Sequence, residues 1–118
     1  MANTLPSITA GLTPGMYEHH KRMVRSKAAR WICLVHIDRC RPDTITDAAL
    51  LPLLRADYPD MSQRELRREL EYLALSWFLT TARSHDVWTL KITWQGVDIV
   101  EYTCECPSGI GRPSTPIE

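Results

Sequence analysis

Between Met61 and Trp94 the apolar period falls from about 3.6 residues to about 2, the mark of a helix giving way to strands. Leu66, Leu70, Leu73 and Trp77 recur at helical spacing and predict one stripe facing a core. Trp88, Leu90, Ile92 and Trp94 then alternate with Val87, Thr89, Lys91 and Thr93, as in a strand with one buried face. Leu79 to Arg83 is the partner strand, and Ser84-His85-Asp86 has the composition of a tight hairpin loop.

The helix in this stretch has a locally specified start. The Ser62 hydroxyl can accept from the amide of Glu65 while the Glu65 carboxylate reaches back to the amide of Ser62, a capping box, and Met61 can clamp onto Leu66 as a hydrophobic staple. Opposite the apolar stripe stand Arg64, Arg68 and Glu71, with Gln63 and Arg67 on the flank.

Further helices flank this unit. Thr13-Pro14 can open one, and no strong breaker follows until Pro42, so one long helix and two stacked helices both fit. Trp31, Ile32, Leu34, Val35 and Ile37 make its second half apolar nearly all round, which predicts burial on more than one side. Thr44 or Thr46 caps a shorter helix through Ala48, Leu50, Leu51, Leu53 and Leu54, and Pro52 should kink it or shift its start. With the turn Tyr58-Pro59-Asp60, that helix and the Ser62 helix form a helix-turn-helix. Thr93 caps a last short helix, Trp94 to Tyr102. The order predicts a mainly α chain with a small β-hairpin wing (α+β), a winged helix-turn-helix. The expected layout is a flexible segment over 1–15, the domain over 16–103 and a Pro/Gly-rich, poorly structured tail over 104–118.

At 118 residues and 44% hydrophobic content the chain suits one compact domain. No apolar run approaches the roughly 20 residues of a membrane span, and Met1 to Gly15 lacks a secretory h-region, so a cytoplasmic location is expected. Lys and Arg number 14 against 14 Asp and Glu, which removes any bulk attraction to nucleic acid. The distribution is uneven: Met16 to Arg41 holds Lys21, Arg22, Arg25, Lys27, Arg30, Arg39 and Arg41 against Glu18 and Asp38.

The segment Leu90-Lys91-Ile92-Thr93-Trp94-Gln95-Gly96-Val97-Asp98-Ile99-Val100 and the tail Gly109-Ile110-Gly111-Arg112-Pro113 carry a resemblance. The chain resembles the small winged-helix proteins of Mu-like transposable phages and prophages, commonly labelled as regulators similar to the arsenical-resistance repressors. Their Leu-Thr-x-x-Gly-x-Asp-Val segment follows the second wing strand, and a Gly-Val/Ile-x-Arg-Pro tail closes the chain. The likeness spans roughly Arg30 to Pro113 and departs at the longer basic N-terminal extension and at Cys104-Glu105-Cys106. It implies a phage gene expressed in bacterial cytoplasm, in the neighbourhood of DNA packaging and head assembly.

Gln63, Arg64, Arg67, Arg68 and Glu71 are the expected DNA-facing residues, since Arg pairs bidentately with guanine and Gln with adenine in the major groove. Lys21, Arg22, Arg25 and Lys27 would neutralise phosphates, and Arg83, His85 and Lys91 of the wing would reach the flanking backbone or minor groove. Against this, Glu65, Glu69 and Glu71 cancel the three arginines of the helix, and Arg67 with Glu71 is an ordinary i,i+4 pair on a solvated face. The leading expectation is a double-stranded DNA binder, as a homodimer, used in transcriptional control or accessory DNA handling. The rival is an adaptor without DNA binding, which offers Arg64, Arg68, Glu71 and Leu75 to a phage or host protein. The two differ in one feature: DNA binding needs Arg64, Arg68 and the Lys21 to Arg30 basics on one continuous face.

Cys33, His36 and Cys40 share one side of a helical wheel and suit a zinc-like ion, yet buried reduced cysteines are the commoner use of such residues, so no metal or cofactor is expected. An enzyme is not expected either. Ser84-His85-Asp86 has the letters of a triad, but neighbours in a turn cannot align as nucleophile, base and orienter, and no phosphate-binding glycine loop is present.

Overall fold

The computed structural model describes residues 13–116. They form α1 (Pro14–Arg39), β1 (Ile45–Thr46), α2 (Asp47–Arg55), α3 (Gln63–Leu75), β2 (Leu79–Ser84), β3 (Val87–Ile92) and α4 (Trp94–Glu101). This is an α+β fold of helices around a small antiparallel sheet. The flexible start expected over 1–15 lies, up to residue 12, outside the described residues.

All four helices begin alike. Thr13, Thr46, Ser62 and Thr93 each accept a hydrogen bond from the amide three residues on, which satisfies a donor that the first turn leaves open. α1 is a single helix of 26 residues, the first of the two possibilities. Residues 13–24 are exposed, whereas Ala29, Cys33, Leu34 and Ile37 are buried and Trp31, Ile32 and Val35 half-buried, as its all-round apolar second half predicts. Pro52 sits inside α2 rather than at its start.

The core joins Leu34 and Ile37 of α1, Leu50 and Leu54 of α2, Leu66, Leu70 and Leu73 of α3, Leu79, Leu90 and Ile92 of the sheet, and Ile99 of α4. Met61 and Leu66, the expected staple, are both buried there. The sheet runs β1-β3-β2. β2 and β3 pair from Leu79↔Ile92 to Ser84↔Val87 around the two-residue loop His85-Asp86, where His85 takes the positive φ (54°) of a tight hairpin turn. β1 pairs with β3 through Ile45↔Leu90 and Thr46↔Thr89, a strand too short to leave a period in the sequence.

Two tryptophans depart from the expected apolar faces. α3 ends at Leu75, and Trp77 enters the left-handed region (φ 70°), leaving its side chain 74% exposed. Trp94 is the first residue of α4, because the Thr93 cap ends strand alternation one residue earlier, and it is 82% exposed. α4 approaches the chain behind it closely. Thr93 donates through its amide to Phe78 O and through its hydroxyl to Trp77 O, and a Cβ on Gly96 would stand 2.1 Å from Phe78 O.

The C-terminal segment also differs from its expected disorder. After Tyr102 it folds back as a strap along α1: Ile110 is buried, the Gly111 amide donates to Lys27 O, and Arg112 donates to Ile99 O and Cys104 O. The Tyr102 hydroxyl donates to the Pro113 carbonyl at 2.8 Å, with the Thr115 carbonyl 3.2 Å away, and its ring meets Trp31 edge-on at 6.0 Å. Its prolines and glycines serve tight turns over a packed surface rather than disorder.

Candidate nucleic-acid interface

α3 is held on both flanks, which decides which of its polar side chains are free. On the hairpin side, Gln63, Arg67 and Glu71 form one i,i+4 row. Gln63 Nε2 donates to Asp47 Oδ2 at 3.2 Å and Arg67 Nε to the same oxygen at 2.6 Å, while the Trp88 amide donates to Asp47 Oδ1 at 3.0 Å. Arg67 also donates to the Asp86 carbonyl in the hairpin loop and lies over the Trp88 ring. Arg83 stacks on that same ring, 3.9 Å from its centroid, and pairs with Glu71. The pair expected between Arg67 and Glu71 therefore does not form, because each has a partner on another element.

Asp47 is the hub of this side. Burial pushes its carboxyl upward, but the Trp88 amide, Arg67 and Gln63 together outweigh burial and hold it below the usual carboxylate range.

On the α1 side the row is Glu65 and Glu69. Arg25 donates to both Glu65 oxygens, at 2.7 and 3.0 Å, and meets Asp60 at 3.0 Å. The Glu65 bond chiefly, aided by Asp60, raises the Arg25 guanidinium above its ordinary value against the opposing effect of burial. With its carboxylate taken by Arg25, Glu65 does not reach back to Ser62, so only the Ser62 half of the capping box forms. Glu69 is only 1% exposed and accepts from Arg30 and the Ser26 hydroxyl, both at 2.8 Å. Arg30 then spans three segments: it stacks 3.7 Å from the Tyr72 ring centroid and donates to Gly109 O of the strap.

Between the two flanks runs an outward ridge of Arg64 and Arg68. Arg64 is exposed and meets no carboxylate among the described residues, and Arg68, 68% exposed, approaches only a Glu69 oxygen at 3.9 Å. Arg68 also looks across at α1. It lines a recess of about 430 Å³ with His19, Arg22, Met23, Ser26, Lys27, Arg30, Ser108 and Gly109, a wall without a carboxylate. Arg22, Arg25 and Arg68 line a second hollow beside it, together with Asp60 and Glu65.

The expected site residues thus divide. Arg68, Arg22 and Lys27 come together, with Arg64 on the adjoining ridge. Gln63, Arg67, Glu71, Arg83 and Arg25 are engaged in holding elements to one another. Lys21 lies 3.7 Å from Glu18 and over the Tyr17 ring. His85 is exposed at the hairpin tip, and Lys91 lines a separate hollow with Arg41, Thr80 and Trp94.

Asp47 is not among the expected site residues and Glu69 figures there only as a charge balancing the α3 arginines, although the positions of both carry a signal of burial. Asp47 falls in register with Leu50 and Leu54, and Glu69 lies between Leu66 and Leu73 at helical spacing, so both occupy core positions. A charge at such a position requires a partner, and each has one.

The four cysteines are free thiols. Burial, with the nearby Glu69 charge, pushes the Cys33 thiol up, and Cys40 donates to His36 O. Among the described residues no three candidate ligands converge on a metal position, and no helix is long and apolar enough to cross a membrane. No family model, curated protein or solved structure matches the chain.

Proposed function

We propose that the chain is a winged-helix protein of the Mu-like phage kind that binds double-stranded DNA. In this reading α3 enters the major groove with Arg64 and Arg68 toward base edges, the β2–β3 hairpin is the wing, and Arg22 and Lys27 of α1 lie over phosphates. One observation carries it: Arg68 of α3 and the free basic side chains of α1 line a single concave surface. It supplies part of the face that DNA binding demands and an adaptor has no need of: Arg22, Lys27 and Arg30 join Arg68, while Arg64 stands on the adjoining ridge and Lys21 and Arg25 are paired with carboxylates. The bound protein is a homodimer, so that two α3 helices meet successive turns of one face of the duplex. Transcriptional control is the use we favour, ahead of accessory DNA handling during packaging.

A second reading has its own support. Leu75 and Trp77, 73% and 74% exposed at the end of α3, are the kind of apolar anchors an adaptor offers to a protein partner. Binding to phage-genome fragments across a salt series separates the two. DNA binding predicts affinity that falls with salt and drops at least tenfold in Arg64→Ala/Arg68→Ala, whereas an adaptor shows none even at low salt.

A further inference from the structure

The recess shared by α1, α3 and the strap is lined by cations with no carboxylate in its wall, and Asp60 and Glu65, in the hollow beside it, are both engaged by Arg25. Arg22 and Lys27 meet no carboxylate within salt-bridge distance among the described residues, and Arg68 has only the 3.9 Å approach to Glu69. Arg30 is fixed in the wall by Glu69, Tyr72 and Gly109 O, so it cannot swing out to disperse its charge. Glu69 itself is buried beneath the wall and already engaged by Arg30 and Ser26, which leaves the mouth positive. A concave surface with low-dielectric walls concentrates such a field.

We propose that this recess is a seat for a phosphoryl group, with Arg22, Lys27 and Arg68 as its mobile cations and Arg30 and the strap residues Ser108 and Gly109 as its fixed wall. Arginine suits the fork of phosphate oxygens, lysine adds a point charge, and the Ser108 hydroxyl adds a neutral donor. The site is assembled from three parts of the chain far apart in sequence. The strap, which composition marks as disordered, is one of its sides. Two sources present this chemistry: a nucleic-acid backbone and a free polyphosphate. The first deepens the DNA reading and rests on it, with Arg68 turned to a phosphate and Arg64 left to the base edges.

The test is calorimetric titration of the full chain at low salt with inorganic tripolyphosphate, beside a double-stranded DNA arm. Tripolyphosphate is expected to bind saturably at one site. Its affinity should fall at least tenfold in Arg22→Gln/Lys27→Gln and stay unchanged in Arg39→Gln, which removes an exposed charge at the far end of α1. Circular dichroism of the variants checks that the fold is retained; both substituted side chains lack ion-pair partners, so retention is expected. Absence of saturable binding, or equal binding by wild type and double variant, overturns the proposal. Duplex binding that tripolyphosphate competes away identifies the backbone phosphate as the source. Tripolyphosphate binding without any duplex affinity leaves the seat standing, with a free phosphorylated ligand, and removes the DNA reading instead.

Discussion

A carboxylate at an apolar helix position is tolerated only when cations and donors meet it, and Glu69 and Asp47 show two ways of doing so. Glu69 sits beneath Arg30, with both partners largely out of water. Removing it strands a guanidinium against the core, so Glu69→Ala should cost about 3–5 kcal/mol in urea denaturation. Glu71→Ala, which breaks the more exposed pair with Arg83, should cost no more than about 1 kcal/mol. Equal losses from the two would contradict the division into buried and solvent-screened clamps. Asp47 differs because its carboxyl is held below the ordinary range. Its contribution is fully present above the unfolded-state value near 3.8 and is lost as pH falls through that value toward the lower folded one. Asp47→Asn should therefore lower stability at pH 6 while flattening its decline below pH 4, as read from denaturation midpoints at the two pH values.

At the scale of elements, local chemistry was legible and long-range partnership was not. The Ser62 and Thr93 caps, the hairpin and the core leucines of α3 follow from spacing and from hydrogen-bonding groups that act within a few residues. The misplaced faces of Trp77 and Trp94 have one cause: each lies two residues beyond the end of the element whose period predicted its burial, Leu75 of α3 and Ile92 of β3. Glu65 is a sharper case. Its cap-box role fits the helix alone, yet Arg25, 40 positions away in sequence, takes the carboxylate. The candidate site suffered similarly, since Arg67 and Arg83 look like free cations until Trp88 and Asp47 are seen beside them. Close approach gives a test at this scale. The Cβ in Gly96→Ala would meet Phe78 O and the Ile92 side chain, so α4 must shift, and thermal unfolding should show a far larger loss than Gly15→Ala, where the surroundings are open.

For the whole molecule, the strap changes how the fold is closed. Its residues 109–112 bond to α1 and α4 and lie against Tyr72 of α3, so the helices that frame the recess are joined by a third segment as well as by each other. Deleting residues 107–118 removes buried Ile110 and the Arg112 bonds, together about 3 kcal/mol, and should lower the melting temperature by about 10 °C. An unchanged melting temperature would show that the strap contributes nothing to stability. Gly109→Ala offers a gentler probe, because its Cβ would collide with the Tyr72 hydroxyl and lift the strap locally.

The bond from the Gly111 amide to Lys27 O has a consequence for measurement. That proton can exchange with solvent only when the strap peels from the helix, so its exchange rate is a clock for a single opening event. Read residue by residue, it would time the opening of one wall of the recess while the rest of the protein stays folded.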